Sequence, residues 1–174
     1  MDKETGASKL QDKEPQLPIW EATLRATVHN QPPHKVWQLL EDFFSIEKWL
    51  PTIDICKKIE GINGKPGCIR YCAASSNKVG ENDIAWATEK LVFIDSAERK
   101  MIYVVTDSNV GLVGYEATVS VLPESHENEE KGSVIDWFFK VEPQTFMSYE
   151  GLVEYVKNSL EYMAKKMEEF LYEE

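Results

Sequence analysis

The sequence contains few of the residues that most often carry nucleophilic or metal-dependent chemistry. Its 174 residues include three His and three Cys. The histidines are scattered and no Cys-x-x-Cys pair occurs, so we expect no metal site. No serine or cysteine lies in a nucleophile elbow of the G-x-S-x-G type. Any catalysis must therefore come from arginine, carboxylate or tyrosine side chains.

The cysteines do not predict a disulfide. Cys68 and Cys72 belong to one predicted strand, where they are about 13 Å apart at ~3.3 Å per residue, which is too far to bridge. The third cysteine, Cys56, makes the total odd. We therefore expect reduced thiols and a cytoplasmic location, where thiols stay reduced.

An excess of positive charge and long apolar runs are also absent. The formal net charge is −11, which argues against nucleic acid and anionic membrane surfaces as partners. No apolar run approaches the length that spans a bilayer. The first residues contain no apolar signal core, and Asp2 stands where myristoylation requires glycine. We expect no nucleic-acid partner, no membrane partner, and a monomer or weak dimer.

What is present is the composition of one ordinary globular domain. Hydrophobic residues make up 43% of the chain and charged residues 28%. Residues 1–17 are polar and charged without periodicity, so we predict a disordered N-terminal tail. Residues 18–172 are predicted to form a single domain with a sizeable core.

A long amphipathic helix is predicted at 147–171. Its apolar residues recur at steps of three and four and form one stripe. The stripe consists of Tyr149, Leu152, Val153, Val156, Leu160, Met163, Met167, Phe170 and Leu171. The two methionines suit either ordinary core packing or a wall that faces a variable ligand. Such a helix is not stable alone, so its apolar face needs a partner.

The preceding residues read mostly as strands. The first strand alternates apolar and polar residues from Trp20 to Val28, and two short helices follow, up to Leu50. Six more strands lead to Val141. The predicted fold class is therefore α+β, with a curved seven-stranded antiparallel sheet wrapped around the long C-terminal helix. Such an arrangement leaves a cavity between sheet and helix, and cavities of this kind bind small molecules.

One glycine-rich segment has two interpretations. Gly61, Gly64 and Gly67 are spaced like the glycines of a loop that cradles phosphate. The segment lies between two predicted strands and does not open a helix, however, so the phosphate mechanism lacks its structural context. A plain hairpin loop is the favoured interpretation, because glycine and proline are the usual turn residues.

Two ionisable residues occupy predicted inward-facing strand positions. Arg70 shares its face with Cys68 and Cys72, and Glu89 shares its face with Ala87, Leu91 and Phe93. A buried charge needs a partner, and a hairpin would make the two strands neighbours. The pair is then either a structural ion pair or a proton-transfer pair in which Arg70 holds a polar group of the substrate.

Aromatic and apolar residues would complete the site. Tyr103 and Tyr115, on the next two strands, would add hydroxyl donors, or would be ordinary aromatic core residues. Five further residues are candidates for the apolar lining that binds the substrate. They are Trp49, Leu50, Trp86, Trp137 and Phe139.

Several short motifs resemble those of a known family. They are Trp37-x-x-Leu40 with Phe43, Lys48-Trp49-Leu50-Pro51, Glu60-Gly61, Pro66-Gly67-Cys68-Ile69-Arg70-Tyr71, Glu89-Lys90-Leu91 and Gly114-Tyr115. Together they resemble the plant lachrymatory-factor synthase family, a branch of the Bet v 1-like (START-like, SRPBCC, polyketide cyclase/dehydrase) superfamily. The resemblance runs from about Trp20 to Leu171 and implies the helix-grip fold, in agreement with the periodicity.

The resemblance also implies an activity. The enzyme that names the family rearranges an alkenyl sulfenic acid to a thial S-oxide without a cofactor. Its key arginine and glutamate match Arg70 and Glu89, and tyrosines of its pocket match Tyr103 and Tyr115. The resemblance implies that Glu89 shuttles the proton while Arg70 orients the sulfenic oxygen. We expect this reaction, or another cofactor-free isomerisation or cyclisation, on a small apolar plant metabolite.

A carrier protein is the alternative. A Bet v 1-like protein that only binds or stores a hydrophobic ligand would have the same fold and pocket without turnover. Loss of turnover in Glu89→Gln would support the enzyme, and ligand binding without any turnover would support the carrier.

Overall fold

The computed structural model describes residues 17–74, 84–125, 127 and 131–173. Residues 1–16 of the predicted disordered tail lie outside these ranges. So does a polar loop that the sequence predicts at 75–83. No helix in the described ranges is long and apolar enough to cross a membrane.

The core of the fold is one antiparallel sheet. Its strands are Trp20–His29 (β1), Ile55–Glu60 (β2), Ile69–Ala74 (β3), Ala85–Asp95 (β4), Lys100–Ser108 (β5), Glu116–Pro123 (β6) and Gly132–Val141 (β7). The strand order across the sheet is β1-β7-β6-β5-β4-β3-β2. Every pair of neighbours is antiparallel. The predicted sheet is therefore confirmed, with β1 and β2 as its two edges.

Alternation along the strands decides which face of the sheet carries the core. In β1 the apolar Ala26 and Val28 are buried, whereas Glu21 and Arg25 are exposed. The same period of two continues in the later strands. The buried residues there are Met101, Tyr103, Val105, Ala117, Val119, Val121, Ile135, Trp137, Phe139 and Val141. One face of the sheet is thus a continuous apolar surface.

Two short helical segments follow β1. A helix, Pro33–Glu41 (α1), begins with proline in its first turn. A 3₁₀ segment, Phe43–Lys48, follows directly. The two are separate because Asp42 leaves the helical backbone conformation at ψ 77°. The first segment contacts β6 and β7, and the second contacts β2 and β3.

The long C-terminal helix, Tyr149–Tyr172 (α2), lies against the apolar face and contacts β1. The Ser148 hydroxyl caps it by accepting a hydrogen bond from the Gly151 N–H at 3.1 Å. The predicted stripe is buried except for Tyr149 and Val153, which are half-buried, and Phe170. Phe170 is 44% exposed and contacts Trp49 edge-on, because it lies at the border of the stripe beside the buried Leu171.

The glycine-rich segment forms a connection between antiparallel strands. It joins β2 to β3 and opens no helix, in agreement with the hairpin interpretation. Gly61 has φ +82°, and a Cβ atom there would lie 2.7 Å from the Cα of Cys68. The glycine is therefore required by a close backbone approach and not by a ligand.

A bulge in β4 shifts part of the predicted alternation. Leu91 is fully buried, but Phe93, which was expected on the same face, is 42% exposed. The pairing between β4 and β5 shifts register between Leu91 and Phe93, and again between Thr88 and Glu89. Each bulge adds a residue to one strand, so side-chain parity changes beyond it. The prediction for Phe93 is wrong for this reason.

The packing of α2 on the sheet predicts the effect of a core truncation. Met167 is fully buried and belongs to the core, so Met167→Ala should lower the free energy of unfolding by about 2–5 kcal/mol. Lys165→Ala is the matched control, because its side chain is 78% exposed on the same helix. Its effect should be within about 0.5 kcal/mol. Urea denaturation followed by circular dichroism measures both, and equal effects would contradict this packing.

Candidate functional site

A cavity lies between the sheet and α2. Its volume is about 160 Å³. Its walls come from β3, β4, β5 and β7, from the segments that precede β2 and β6, and from α2. An engineered apolar cavity of about 150 Å³ in another protein holds one benzene molecule. The cavity therefore suits a ligand of about the size of one small ring.

Glu89 lines this cavity and is in contact with Arg70. The two residues are directly paired in the register of β3 and β4. The Nε and Nη2 atoms of Arg70 each lie 2.6 Å from Oε2 of Glu89. Only 4% of the arginine side chain and 12% of the glutamate side chain are exposed. The structure thus brings together the two charges that strand parity predicts to point inward.

Arg70 is enclosed on its other sides as well. Its Nη1 donates a hydrogen bond to the Phe43 carbonyl at 2.7 Å. Its guanidinium carbon lies 3.8 Å from the centre of the Phe43 ring and 5.1 Å from that of Tyr103. Burial alone would lower the pKa of Arg70, but the charge of Glu89, together with smaller effects of Cys72, Tyr103 and Cys56, outweighs burial and the pKa is raised. Arg70 therefore stays charged.

The position of Arg70 differs from the one predicted. Arg70 does not belong to the cavity wall, whereas Glu89 does. The Glu89 carboxylate and the Phe43 carbonyl accept hydrogen bonds from Arg70, whose guanidinium was expected to hold a polar group of the substrate. Arg70 is thus placed to hold Glu89.

The two carboxylate oxygens of Glu89 differ in their contacts. Its Oε2 takes both arginine contacts and lies 4.0 Å from the Cys72 sulfur. Its Oε1 accepts no hydrogen bond within the described residues, and it is not a fully buried atom. Among the lining residues that the structure describes, Glu89 is the only Asp, Glu, Lys or Arg. Glu89 is therefore a proton acceptor in a wall whose other described residues are uncharged.

Tyr103 and Tyr115 also line the cavity. Burial raises the pKa of both phenols, and the nearby charge of Glu89 raises them further. Trp137 donates its indole N–H to the Tyr115 oxygen at 3.3 Å, which opposes the rise for Tyr115 without reversing it. Both hydroxyls therefore remain protonated and are available as hydrogen-bond donors.

The predicted apolar lining is only partly in the wall. Leu50, Trp86 and Trp137 line the cavity. The Trp86 ring stacks on Tyr71, however, with ring centres 5.9 Å apart.

Trp49 and Phe139, by contrast, are not in the wall. Trp49 packs against Phe170 of α2, and Phe139 is fully buried beneath Tyr115, with ring centres 5.4 Å apart. Both aromatic residues are occupied by core packing, so neither faces the cavity.

Some lining residues were not among the predicted site residues. Thr52 and Tyr155 form a hydrogen bond of 2.8 Å between their hydroxyl groups, at a part of the cavity wall that is exposed to solvent. Cys72 lines the cavity as well. Its position two residues after Arg70, on the same face of the strand, could have indicated this. Met163 is in the wall whereas Met167 is not, so one methionine of the stripe follows each interpretation.

The fold and the cavity define a helix-grip protein with an internal site for a small molecule. A model of the family "polyketide cyclase / dehydrase and lipid transport" matches residues 20–169. The chain belongs to this family. The solved structure of the protein XoxI from Bacillus cereus is similar, with a TM-score of 0.65 and 22% sequence identity. That match covers 86% of this chain and 93% of XoxI, and it supports the fold alone.

The buried pair predicts a large difference between two arginine substitutions. Arg70→Met should destabilise the protein by about 3–5 kcal/mol, because it leaves the Glu89 carboxylate buried without its partner. Arg25→Met is the matched control, since Arg25 pairs with Asp136 at the same distance of 2.6 Å but is 66% exposed. That substitution should change stability by less than about 1 kcal/mol.

Urea denaturation of both variants measures this difference. Arg70→Met combined with Glu89→Leu should recover at least half of the loss, because no unpaired charge then remains. Similar stabilities for the two single variants would rule out an energetically important buried pair.

Proposed function

We propose that the protein is a cofactor-free acid–base isomerase or cyclase that acts on a small, neutral, largely apolar molecule. The observation that carries this proposal is the placement of Glu89. One of its oxygens is held by Arg70, the other accepts no hydrogen bond within the described residues, and Glu89 lines a cavity whose other described lining residues are uncharged. A carboxylate in such a site is suited to take a proton from one atom of a bound molecule and return it to another.

Each polar group of the site then has a separate task. Glu89 is the catalytic residue that moves the proton. Arg70 is a positioning residue, because its contacts are with Glu89 and Phe43. Tyr103 and Tyr115 donate hydrogen bonds to an oxygen of the substrate, and that oxygen is stabilised as charge develops on it. The proton leaves and returns within one cycle, so no oxidant or reductant is needed.

The rearrangement of an alkenyl sulfenic acid is one reaction of this class. Glu89 would remove the proton of the S–O–H group and deliver it to the distal carbon of the double bond. The sulfur–carbon bond then becomes double, and the product is a thial S-oxide with the same atoms as the substrate. The matching motifs around Arg70, Glu89 and Tyr115 support this assignment, and they suggest a plant metabolite as the substrate.

The charges of the lining residues also indicate the net charge of the ligand. No lysine or arginine is among the described lining residues, so a ligand carboxylate would lose its hydration without gaining a cationic partner. It would also face Glu89. We therefore propose neutral ligands, with an apolar body and one hydroxyl or comparable polar group. The predicted cytoplasmic location and the monomer or weak dimer stay predictions.

A carrier of small hydrophobic molecules is the second candidate. Most of the described cavity wall is apolar, and the description of the family includes lipid transport as well as cyclases and dehydrases. In that case the Arg70–Glu89 pair would be structural, and the ligand would leave the cavity unchanged. The volume of about 160 Å³ favours small cargo over long-chain lipids.

Substitution of Glu89 tests the enzyme directly. The protein is incubated with an alkenyl cysteine sulfoxide and the lyase that releases the sulfenic acid, and thial S-oxide is measured by gas chromatography and mass spectrometry. Wild-type protein should form product, and Glu89→Gln should reduce the rate by roughly 10²–10⁴-fold, because the amide cannot accept the proton. Glu116→Gln, which changes an outlying pair with Lys140, should retain the wild-type rate.

The outcomes separate the candidates. Equal rates for wild type and Glu89→Gln would contradict the role of Glu89. No product from the wild type would remove the sulfenic-acid assignment. Ligands would then be extracted from plant tissue and compared before and after incubation, and recovery of unchanged ligand would support the carrier.

The charge class can be tested with two molecules of one shape. Benzyl alcohol should bind in the cavity, and benzoate should bind at least about tenfold more weakly, because its charge would be buried beside Glu89. Titrations followed by NMR of the backbone amides give both dissociation constants. The ratio between the two dissociation constants should be smaller for the Glu89→Gln variant. Tighter binding of benzoate to the wild type would contradict the proposed neutral ligand.

A further inference from the structure

Two of the three cysteines face each other across neighbouring strands. Cys56 on β2 is directly paired with Cys72 on β3, and their sulfur atoms are 3.9 Å apart. Cys68 lies before β3 and is buried separately. All three thiols are free. The sequence places Cys56 and Cys72 16 positions apart, so only the register of the sheet brings them together.

The two thiols differ in accessibility and in charge. Cys72 is buried and donates its S–H to the sulfur of Cys56, which is only partly buried on the edge strand. This hydrogen bond lowers the pKa of Cys56, and the charge of Arg70 acts in the same direction against the effect of burial. The same bond raises the pKa of Cys72, as does burial. Cys56 is therefore the more nucleophilic and the more accessible sulfur.

We propose that Cys56 and Cys72 are an oxidation site at which a hydroperoxide produces an intramolecular disulfide. In the first step, the Cys56 thiolate attacks the peroxide oxygen, and the O–O bond breaks. One oxygen remains on Cys56 as a sulfenic acid, and the other leaves as water or alcohol. In the second step, Cys72 attacks the Cys56 sulfur and the sulfenic oxygen leaves as water. The two thiols are oxidised by two electrons and one peroxide is reduced.

The backbone allows this bond without movement of the strands. Directly opposed residues of an antiparallel pair have Cα atoms about 4.5–5.5 Å apart, which lies within the range of about 4.4–6.8 Å for disulfides. Side-chain rotation alone must shorten the present sulfur separation to about 2 Å. The bond would tie the edge strand β2 to β3.

Oxidation would also reach the cavity. Cys72 lines the cavity, and its sulfur lies 4.0 Å from Oε2 of Glu89. Disulfide formation replaces the thiol beside this carboxylate with a disulfide, which has no S–H to donate. The oxidation state of the pair is therefore linked to the surroundings of Glu89, whatever reaction or ligand the cavity serves.

The experiment counts free thiols before and after oxidation. The full chain is treated with a small excess of hydrogen peroxide, quenched with catalase, unfolded and alkylated with N-ethylmaleimide. The reduced protein should carry three adducts, one on each free cysteine, and the oxidised protein should carry one adduct, on Cys68. Non-reducing peptide mapping should show a Cys56–Cys72 link. The melting temperature should rise by roughly 5–10 °C and return after treatment with dithiothreitol.

Two variants make the result specific. Cys68→Ala should still form the disulfide and should then carry no adduct. Cys56→Ser should form no intramolecular disulfide. Three adducts on peroxide-treated wild type would overturn the proposal, and so would a link that involves Cys68 or joins two chains.

Discussion

The buried contact between Arg70 and Glu89 is the interaction on which the rest of the site depends. Two opposite charges are removed from water together, so each requires the other to stay where it is. The guanidinium is further held by the Phe43 carbonyl and by two aromatic rings, which couples the 3₁₀ segment to β3, β4 and β5. The pair therefore fixes the polar end of the cavity and also the packing of the 3₁₀ segment.

The pair also explains how the Glu89 carboxylate is stabilised in a wall whose other described residues are uncharged. Arg70 compensates the charge of Glu89 from outside the wall, and no Lys or Arg is among the described lining residues. The protonated phenols of Tyr103 and Tyr115 supply donors at the same end. In the proposed reaction, a neutral substrate contacts the Glu89 acceptor and these two donors.

Local patterns were sufficient to predict the sheet, the long helix and the meeting of Arg70 with Glu89, because period-two alternation and hairpin connections depend only on neighbouring residues. Features that depend on strand register, or on how deeply a side chain is buried, were not predictable from the sequence. The bulge that exposes Phe93, the core packing of Trp49 and Phe139, and the shielding of Arg70 by Glu89 all arise from tertiary contacts. The pairing of Cys56 with Cys72 likewise requires knowledge of the register.

The hydrogen bond between Thr52 and Tyr155 has a kinetic consequence. It joins the segment before β2 to α2 at a solvent-exposed part of the cavity wall, and it involves two neutral hydroxyl groups. A hydrogen bond of this kind contributes only about 0.5–1.5 kcal/mol net, because water replaces either partner when it breaks. The need to break this hydrogen bond therefore slows the exchange of ligands through this part of the wall by roughly tenfold or less. This hydrogen bond is therefore a weak restraint on its part of the wall compared with the buried Arg70–Glu89 pair at the polar end of the cavity.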